Sequence, residues 1–169
     1  MFKVLTNGCE TTRGSKYSAA VDLFASKDCI IAAGETKIIG LGVRIDLDVL
    51  YRSWYNSDDQ GSWRNFLNSH YLELHPRSSL RAKGLISNTG IIDLDYDDEI
   101  KIIIHNPLTV ADFGENEVGR IDKSPAVFDV YKIKKGDKIA QILLKEHKSY
   151  LFGIESNEER TGGFGSTGE

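Results

Sequence analysis

Cysteine is scarce in this chain, with two among 169 residues, Cys9 and Cys29. They do not form a CxxC pair, and His70, His75, His105 and His147 lack zinc-like spacing with them or with one another. Neither a structural zinc site nor a disulfide framework is expected, and two free thiols suit a reducing compartment. An excess of positive charge is also missing. Lys and Arg number 21 against 25 Asp and Glu, for a formal charge of −4. The chain as a whole should not attract polyanions, which argues against nucleic acid as a direct partner, although a local basic pocket can still hold a phosphate. No apolar run approaches the roughly 18 residues of a membrane helix. The opening Met1 to Gly8 lacks the charged head and apolar stretch of a signal peptide. A cytoplasmic protein without membrane contact is the expectation.

A chain of this length is expected to form one domain and to bury roughly 70% of its unfolded surface. Its stronger patterns have a period of two. Ile39, Leu41, Val43, Ile45 and Leu47 alternate with Gly40, Gly42, Arg44 and Asp46, as in a strand with one buried face. Ile100, Ile102 and Ile104 share a face opposite Lys101 and Ile103, and residues 138–144 read as a strand buried on both sides. Turn signals at Ala33-Gly34, Asn88-Thr89-Gly90 and Lys135-Gly136-Asp137 separate short strands, the pattern of a sandwich, barrel or jelly roll. One stretch departs from this pattern. After Ser62, a plausible N-cap, residues Trp63, Phe66, Leu67, His70 and Tyr71 recur at helical spacing, although residues 71–74 equally suit the start of a strand.

Five segments hold side chains suited to chemistry. Residues 160–168 combine Arg160, glycines, Phe164, Ser166 and Thr167. Glycines let backbone N–H groups converge on an anion, arginine supplies a forked charge, and the phenyl ring can stack on a flat base. With four glycines in its last nine residues and Phe164 as the single large apolar side chain, this tail should be mobile until a ligand orders it. It is not a P-loop, because no GK[ST] follows. Residues 90–99 carry Asp93, Asp95 and Asp97, but Asp98 and Ile104 stand where a calcium loop needs glycine and glutamate. A solvated turn and a water-activating carboxylate remain equally open there. In His75-Pro76-Arg77-Ser78-Ser79-Leu80, arginine beside hydroxyls can hold a phosphate, yet a helix cap with a surface arginine explains the segment as well. Asp22, among small and apolar residues, is either a hydrogen-bond anchor or a group near a metal. Gln141, inside an apolar strand, needs a partner, and a structural one is the simpler reading.

Taken together, residues 19–23 (Ala-Ala-Val-Asp-Leu), 76–80 (Pro-Arg-Ser-Ser-Leu), 90–96 (Gly-Ile-Ile-Asp-Leu-Asp-Tyr), 136–141 (Gly-Asp-Lys-Ile-Ala-Gln) and 163–168 (Gly-Phe-Gly-Ser-Thr-Gly) resemble, in order, the five motifs of the trimeric dUTPase family. The resemblance implies an all-β fold, a jelly-roll-like distorted β-barrel assembled as a C3 homotrimer. It implies a barrel over residues 1–159 and a mobile C-terminal arm over 160–169, with sites built from more than one subunit. The implied reaction is hydrolysis of dUTP to dUMP and pyrophosphate with Mg²⁺, which keeps uracil out of DNA and supplies dUMP for dTMP synthesis. Asp93 matches the base that activates the attacking water, and Tyr96 matches the ring beneath the deoxyribose. The backbone from Gly90 to Ile92 matches the uracil contact. Arg77, Ser78 and Ser79 match the phosphate side, with Asp22 (through water) and Gln141 near the metal or phosphates. In the arm, Phe164 and Gly165 would cover the uracil, and Arg160, Ser166 and Thr167 would close on the γ-phosphate.

Four departures stand out. Arg160 lies four residues before Phe164 where the family usually has five, and Asp98 replaces a usual glycine. Ser87 sits where an asparagine is common, with Asn88 beside it. Extra residues near 51–69 and 107–124 suggest surface insertions, candidate contacts for a protein partner. Two rivals accompany this reading. One is a dCTP deaminase of the same fold, disfavoured by the complete Gly-Phe-Gly-Ser-Thr-Gly arm. The other is a nucleotide-gated regulatory module that grips a protein, which for a viral member would act in the host cytoplasm.

Overall fold

In a computed structural model, residues 1–57, 61–107 and 130–154 are described. The eleven strands among them are β1 (Phe2–Val4), β2 (Thr12–Arg13), β3 (Val21–Phe24), β4 (Cys29–Ala32), β5 (Thr36–Gly40), β6 (Val43–Ile45), β7 (His70–Pro76), β8 (Gly90–Asp93), β9 (Lys101–His105), β10 (Val130–Ile133) and β11 (Lys138–Glu146). Helices α1 (Leu47–Tyr55), α2 (Trp63–Ser69) and the single-turn α3 (Ser78–Arg81) interrupt them, and a 3₁₀ turn (Ser149–Phe152) follows β11.

The strand pairings are nested. β3 pairs with β11, β4 with β10 and β5 with β9, all antiparallel. A chain doubled back on itself in this way forms one long two-stranded ribbon, and rolling that ribbon around a core gives a jelly roll. β7 joins the far edge of β11 and carries β8, which completes a five-stranded sheet in the order β2-β3-β11-β7-β8. The expected all-β fold is therefore the one observed.

Alternation explains the core. Leu23, Ile31, Ile39, Leu72, Ile100, Ile104, Ile133 and Ile139 are essentially inaccessible and meet in one cluster. Buried Asn106 is satisfied, its Nδ2 donating to the Ile31 carbonyl at 3.2 Å, as a polar group away from water requires. Both cysteines are free thiols. Burial pushes the Cys9 thiol up, away from the reactive thiolate. No helix among the described residues is long and apolar enough to cross a membrane.

Three local expectations need correction. The alternating run from Ile39 to Leu47 is not one strand. Gly42, at φ +67°, breaks it between β5 and β6, and Leu47 opens α1, where it is 39% exposed. The hydrogen bonds bend with the chain, since Leu41 N–H donates to the Ile100 carbonyl and Ile100 N–H donates to that of Val43. Asp46 caps α1 by accepting from Val49 N–H. The second correction concerns residues 138–144. Ala140 and Ile142 are buried, but Gln141 and Leu143 on the opposite face are half-buried and Lys145 there is exposed, so β11 has one wet face. Third, α2 does form after Ser62, but that serine makes no capping hydrogen bond and His70 already belongs to β7.

The residues anticipated as an insertion near 51–69 include most of α1 and all of α2. These helices are joined by rings: Trp54 and Trp63 have centroids 5.4 Å apart, and Phe66 stacks on His70 at 4.3 Å. The anticipated insertion at 107–124 lies outside the described residues except for Pro107.

Gly42 and Gly34 both have positive φ, but a Cβ on Gly42 would meet Cys9 Cβ and Sγ at 2.7 Å, whereas one on Gly34 meets nothing. Gly42→Ala should cost about 2–4 kcal/mol from backbone strain and overpacking, and Gly34→Ala about 1–2 kcal/mol from strain alone. Urea unfolding midpoints should rank the two in that order; equal midpoints would contradict the packing account.

Candidate functional site

Asp93 ends β8 and begins a tight turn in which its carbonyl accepts from Tyr96 N–H at 3.1 Å. This i to i+3 closure brings an exposed carboxylate and a buried aromatic ring to one corner. Tyr96 is 6% exposed, and its hydroxyl donates to the Glu99 carbonyl at 3.2 Å. The Glu99 carboxylate in turn accepts from Gly42 N–H at 2.8 Å, which ties the hairpin to the break between β5 and β6.

Asp98, where glycine was the usual residue, has its own function in the turn. Its carboxylate accepts from Glu99 N–H at 2.7 Å and pairs with Lys101 at 3.0 Å. The backbone donor first, and the lysine second, hold its carboxyl below the usual range.

Beside this turn lies a cavity of about 350 Å³ lined by residues 86–92 together with Leu74, Tyr96, residues 101–103 and His105. Gly90, Ile92 and Tyr96, all anticipated as base or sugar contacts, are in its wall. Asn88 lines it as well, beside Ser87.

A second cluster gathers around Asp22, which is 6% exposed in β3. A buried carboxylate needs compensating charge. Arg77, just before α3, pairs with one of its oxygens, and Lys138, at the start of β11, pairs with the other at 3.1 Å. Asp22 is therefore an anchor that orients two cations. Ser78 and Ser79 are exposed on α3, beside Arg77. The cap reading of the serines does not hold, because the N-cap position is Arg77 and no side chain caps the helix.

Register places these groups on one face. Gln141 of β11 lies opposite Asp22 on one side and His75 on the other, and Asp93 lies opposite Tyr71. This face is half exposed and polar. Yet Asp93 and Asp22 are three strands and four residues apart on it, roughly 20 Å at about 4.8 Å per strand and 3.4 Å per residue. Asp22, Arg77, Ser78, Ser79 and Gln141 do not line the hairpin cavity. The predicted residues among those described thus form two groups within one chain, one at or beside the hairpin cavity and one around Asp22. Arg160, Phe164, Gly165, Ser166 and Thr167 lie outside the described residues.

Comparisons with known proteins point the same way. A sequence model of the dUTPase family matches residues 66–121. The deoxyuridine 5'-triphosphate nucleotidohydrolase of Candida glabrata is 29% identical over 169 residues, spanning 96% of this chain and 91% of that protein. The mouse protein of the same name is 29% identical over 164 residues, with 94% and 77% covered. Over nearly its whole length the chain is similar to dUTPases. The fold agrees with those of dUTPase structures: that from phage phi11 of S. aureus superimposes with a TM-score of 0.61 at 23% identity, covering 98% of this chain and 97% of that one.

Sequence reasoning missed several groups within this fold. Lys138 was quoted within a motif but not as a partner of Asp22, and Glu73, His75 and Thr89 were not singled out. The signal lay in their alternation, since Tyr71, Glu73 and His75 share one face of β7 immediately before Pro76-Arg77-Ser78.

Glu73 yields a pH prediction. The hydrogen bond from His75 first, then that from Tyr71, holds its carboxyl below the ordinary value of 4.5. A carboxyl lowered by folding contributes stability above its unfolded pKa and loses it as pH falls through the folded one. Glu73→Gln should therefore be less stable than the parent near neutrality, with the gap closing below about pH 4.5. Urea midpoints between pH 7 and pH 3 test this; a gap of constant size would contradict it.

Proposed function

We propose that this chain converts dUTP to dUMP and pyrophosphate at sites assembled between the subunits of a homotrimer. The observation that carries the reading is the 93–96 turn, in which the exposed Asp93 directly follows Ile92 and closes on Tyr96, both of which line the hairpin cavity. In this reading the backbone from Gly90 to Ile92 hydrogen-bonds the uracil edge, and Tyr96 lies against the deoxyribose. Asp93 accepts a proton from water as the water oxygen bonds to the α-phosphorus. The bond from that phosphorus to the bridging oxygen breaks, and pyrophosphate departs. Positioning and electrostatics supply most of the acceleration, since a general base typically contributes 10²–10⁴-fold.

Distance supports a site shared between copies of the chain. A triphosphate cannot reach from Asp93 to an Arg77–Asp22 cluster roughly 20 Å away on the same sheet face. If both groups serve one nucleotide, the cluster comes from a neighbouring copy. Arg77, Ser78, Ser79 and Gln141 are then phosphate contacts, with Asp22 holding Arg77 and Lys138 in place.

No cluster of three or more metal-ligating side chains occurs among the described residues. That donor set suits Mg²⁺ carried by the substrate, because this ion keeps waters and binds nucleotide phosphates rather than a protein cage. When bound it would neutralise charge on the departing pyrophosphate. Asp22 would reach its water shell. The arm over 160–169 would bring Phe164 onto the base, with Gly165 giving close backbone approach and Arg160, Ser166 and Thr167 meeting the γ-phosphate.

Pyrophosphate release measured with dUTP, dCTP, dTTP and UTP should favour dUTP; ammonia release from dCTP would point to a deaminase. Asp93→Asn should lower turnover by about 10²-fold or more while a non-hydrolysable dUTP analogue still binds. Near-normal turnover would remove Asp93 as the base. Deletion of residues 161–169 should remove most activity without lowering the melting temperature of the unliganded protein. A large fall in that temperature would instead make the arm part of the barrel.

A further inference from the structure

The wet face of the five-stranded sheet carries a hydrogen-bonded row that the proposed reaction does not use. Tyr71 Oη donates to Glu73 Oε2 at 2.8 Å, and Glu73 Oε1 meets His75 Nε2 at 2.6 Å. On the other side of the ring, Nδ1 meets Thr89 Oγ1 at 3.3 Å. Thr89 immediately precedes Gly90, which pairs with Leu74, so it stands level with His75. It also lines the hairpin cavity. The row therefore runs from β7 to the wall of the base pocket.

The donors can be assigned. An ionised Glu73 only accepts, so Nε2 of the imidazole carries the proton. With Nε2 carrying the ring's single proton, Nδ1 is an acceptor and the Thr89 hydroxyl donates to it. With its hydrogen turned to the imidazole, the Thr89 oxygen has lone pairs left for the cavity. A hydroxyl that would otherwise rotate becomes a directed acceptor, suited to a ring N–H of the kind uracil has at N3 and cytosine lacks.

We infer that His75, oriented by Glu73, is a positioning residue that sets the direction of the Thr89 hydroxyl at the wall of the base pocket and so tunes recognition of the base. The inference rests on the proposed dUTP reaction and extends it. His75 touches neither phosphate nor water in this scheme, so it affects binding and leaves the chemical step alone. Losing an interaction made equally with bound substrate and transition state raises KM at unchanged kcat.

The test compares steady-state kinetics of dUTP hydrolysis for the parent, His75→Ala, Thr89→Val, Thr89→Ser and the double variant His75→Ala/Thr89→Val. The first two changes should each raise KM about 5–10-fold, the scale of one hydrogen bond, with kcat within about twofold. Thr89→Ser, which keeps the hydroxyl, should stay within about threefold of the parent. The double variant should be no worse than either single one, because both break the same link. A fall in kcat matching that in kcat/KM, unchanged KM in Thr89→Val, or fully additive effects would overturn the proposal. Side-chain ¹⁵N NMR of the unliganded protein supplies a readout independent of activity. It should show His75 protonated at Nε2, with the Nδ1 resonance shifted in Thr89→Val; a proton on Nδ1 would overturn the assignment. A parent protein that releases no pyrophosphate from dUTP would defeat the functional reading itself, and the imidazole measurement keeps the two failures apart.

Discussion

Antiparallel backbone pairing between segments far apart in the chain is the constraint on which this molecule rests. β3, β4 and β5 each pair with a partner from the reverse sequence β11, β10 and β9, and the resulting ribbon has one apolar face. Ile39, Ile100, Ile102 and Ile104 bury that face, and no single hairpin of the set could do so alone. Because the ribbon is rolled, the turn at 93–96, the break at Gly42 and the Asp22 cluster occupy defined places around one core. Glu99 shows the coupling directly. It receives the Tyr96 hydroxyl on its carbonyl and the Gly42 N–H on its carboxylate, so the proposed catalytic turn is held by the same bend that divides β5 from β6.

Electrostatics then separates two kinds of carboxylate on one sheet face. Asp22 is nearly buried, and Arg77 and Lys138 neutralise it. A carboxylate so committed is well placed to orient cations. Asp93 is exposed at a strand end, where water reaches it. The two aspartates thus sit in different environments, one paired with cations and one at the surface. In the proposed reaction, their separation across the sheet makes a site between copies the economical way to bring both to one triphosphate.

Much of the fold was legible because burial on a pleated surface repeats every second residue. Ile100, Ile102 and Ile104 revealed their shared face, and Gly34 and Gly136 marked turns where φ is indeed positive. The motif order revealed the resemblance to dUTPases, and the turn from Asp93 to Tyr96 lay within one motif, so local sequence already held both groups together. Alternation failed from Ile39 to Leu47 for a physical reason. Val43 and Ile45 are as buried as Ile39 and Leu41, so the pattern of side chains does not register a backbone that bends at Gly42. α1 was hidden similarly, since within it Leu50 alone is buried and its remaining rings pack chiefly on α2.

By itself the sequence determined the strand-rich character, the resemblance to dUTPases and the identity of the chemically capable residues, because these depend on short periods and short motifs. Only the tertiary structure decided which of those residues meet. Asp22, Arg77 and Lys138 are distant in the chain, and their ion pairs exist because β3 and β7 flank β11. Likewise, the contact of His75 with Thr89 depends on the register between β7 and the strand that follows Thr89. Pairing between strands brings distant residues within hydrogen-bond reach, and no local pattern along the chain encodes that proximity.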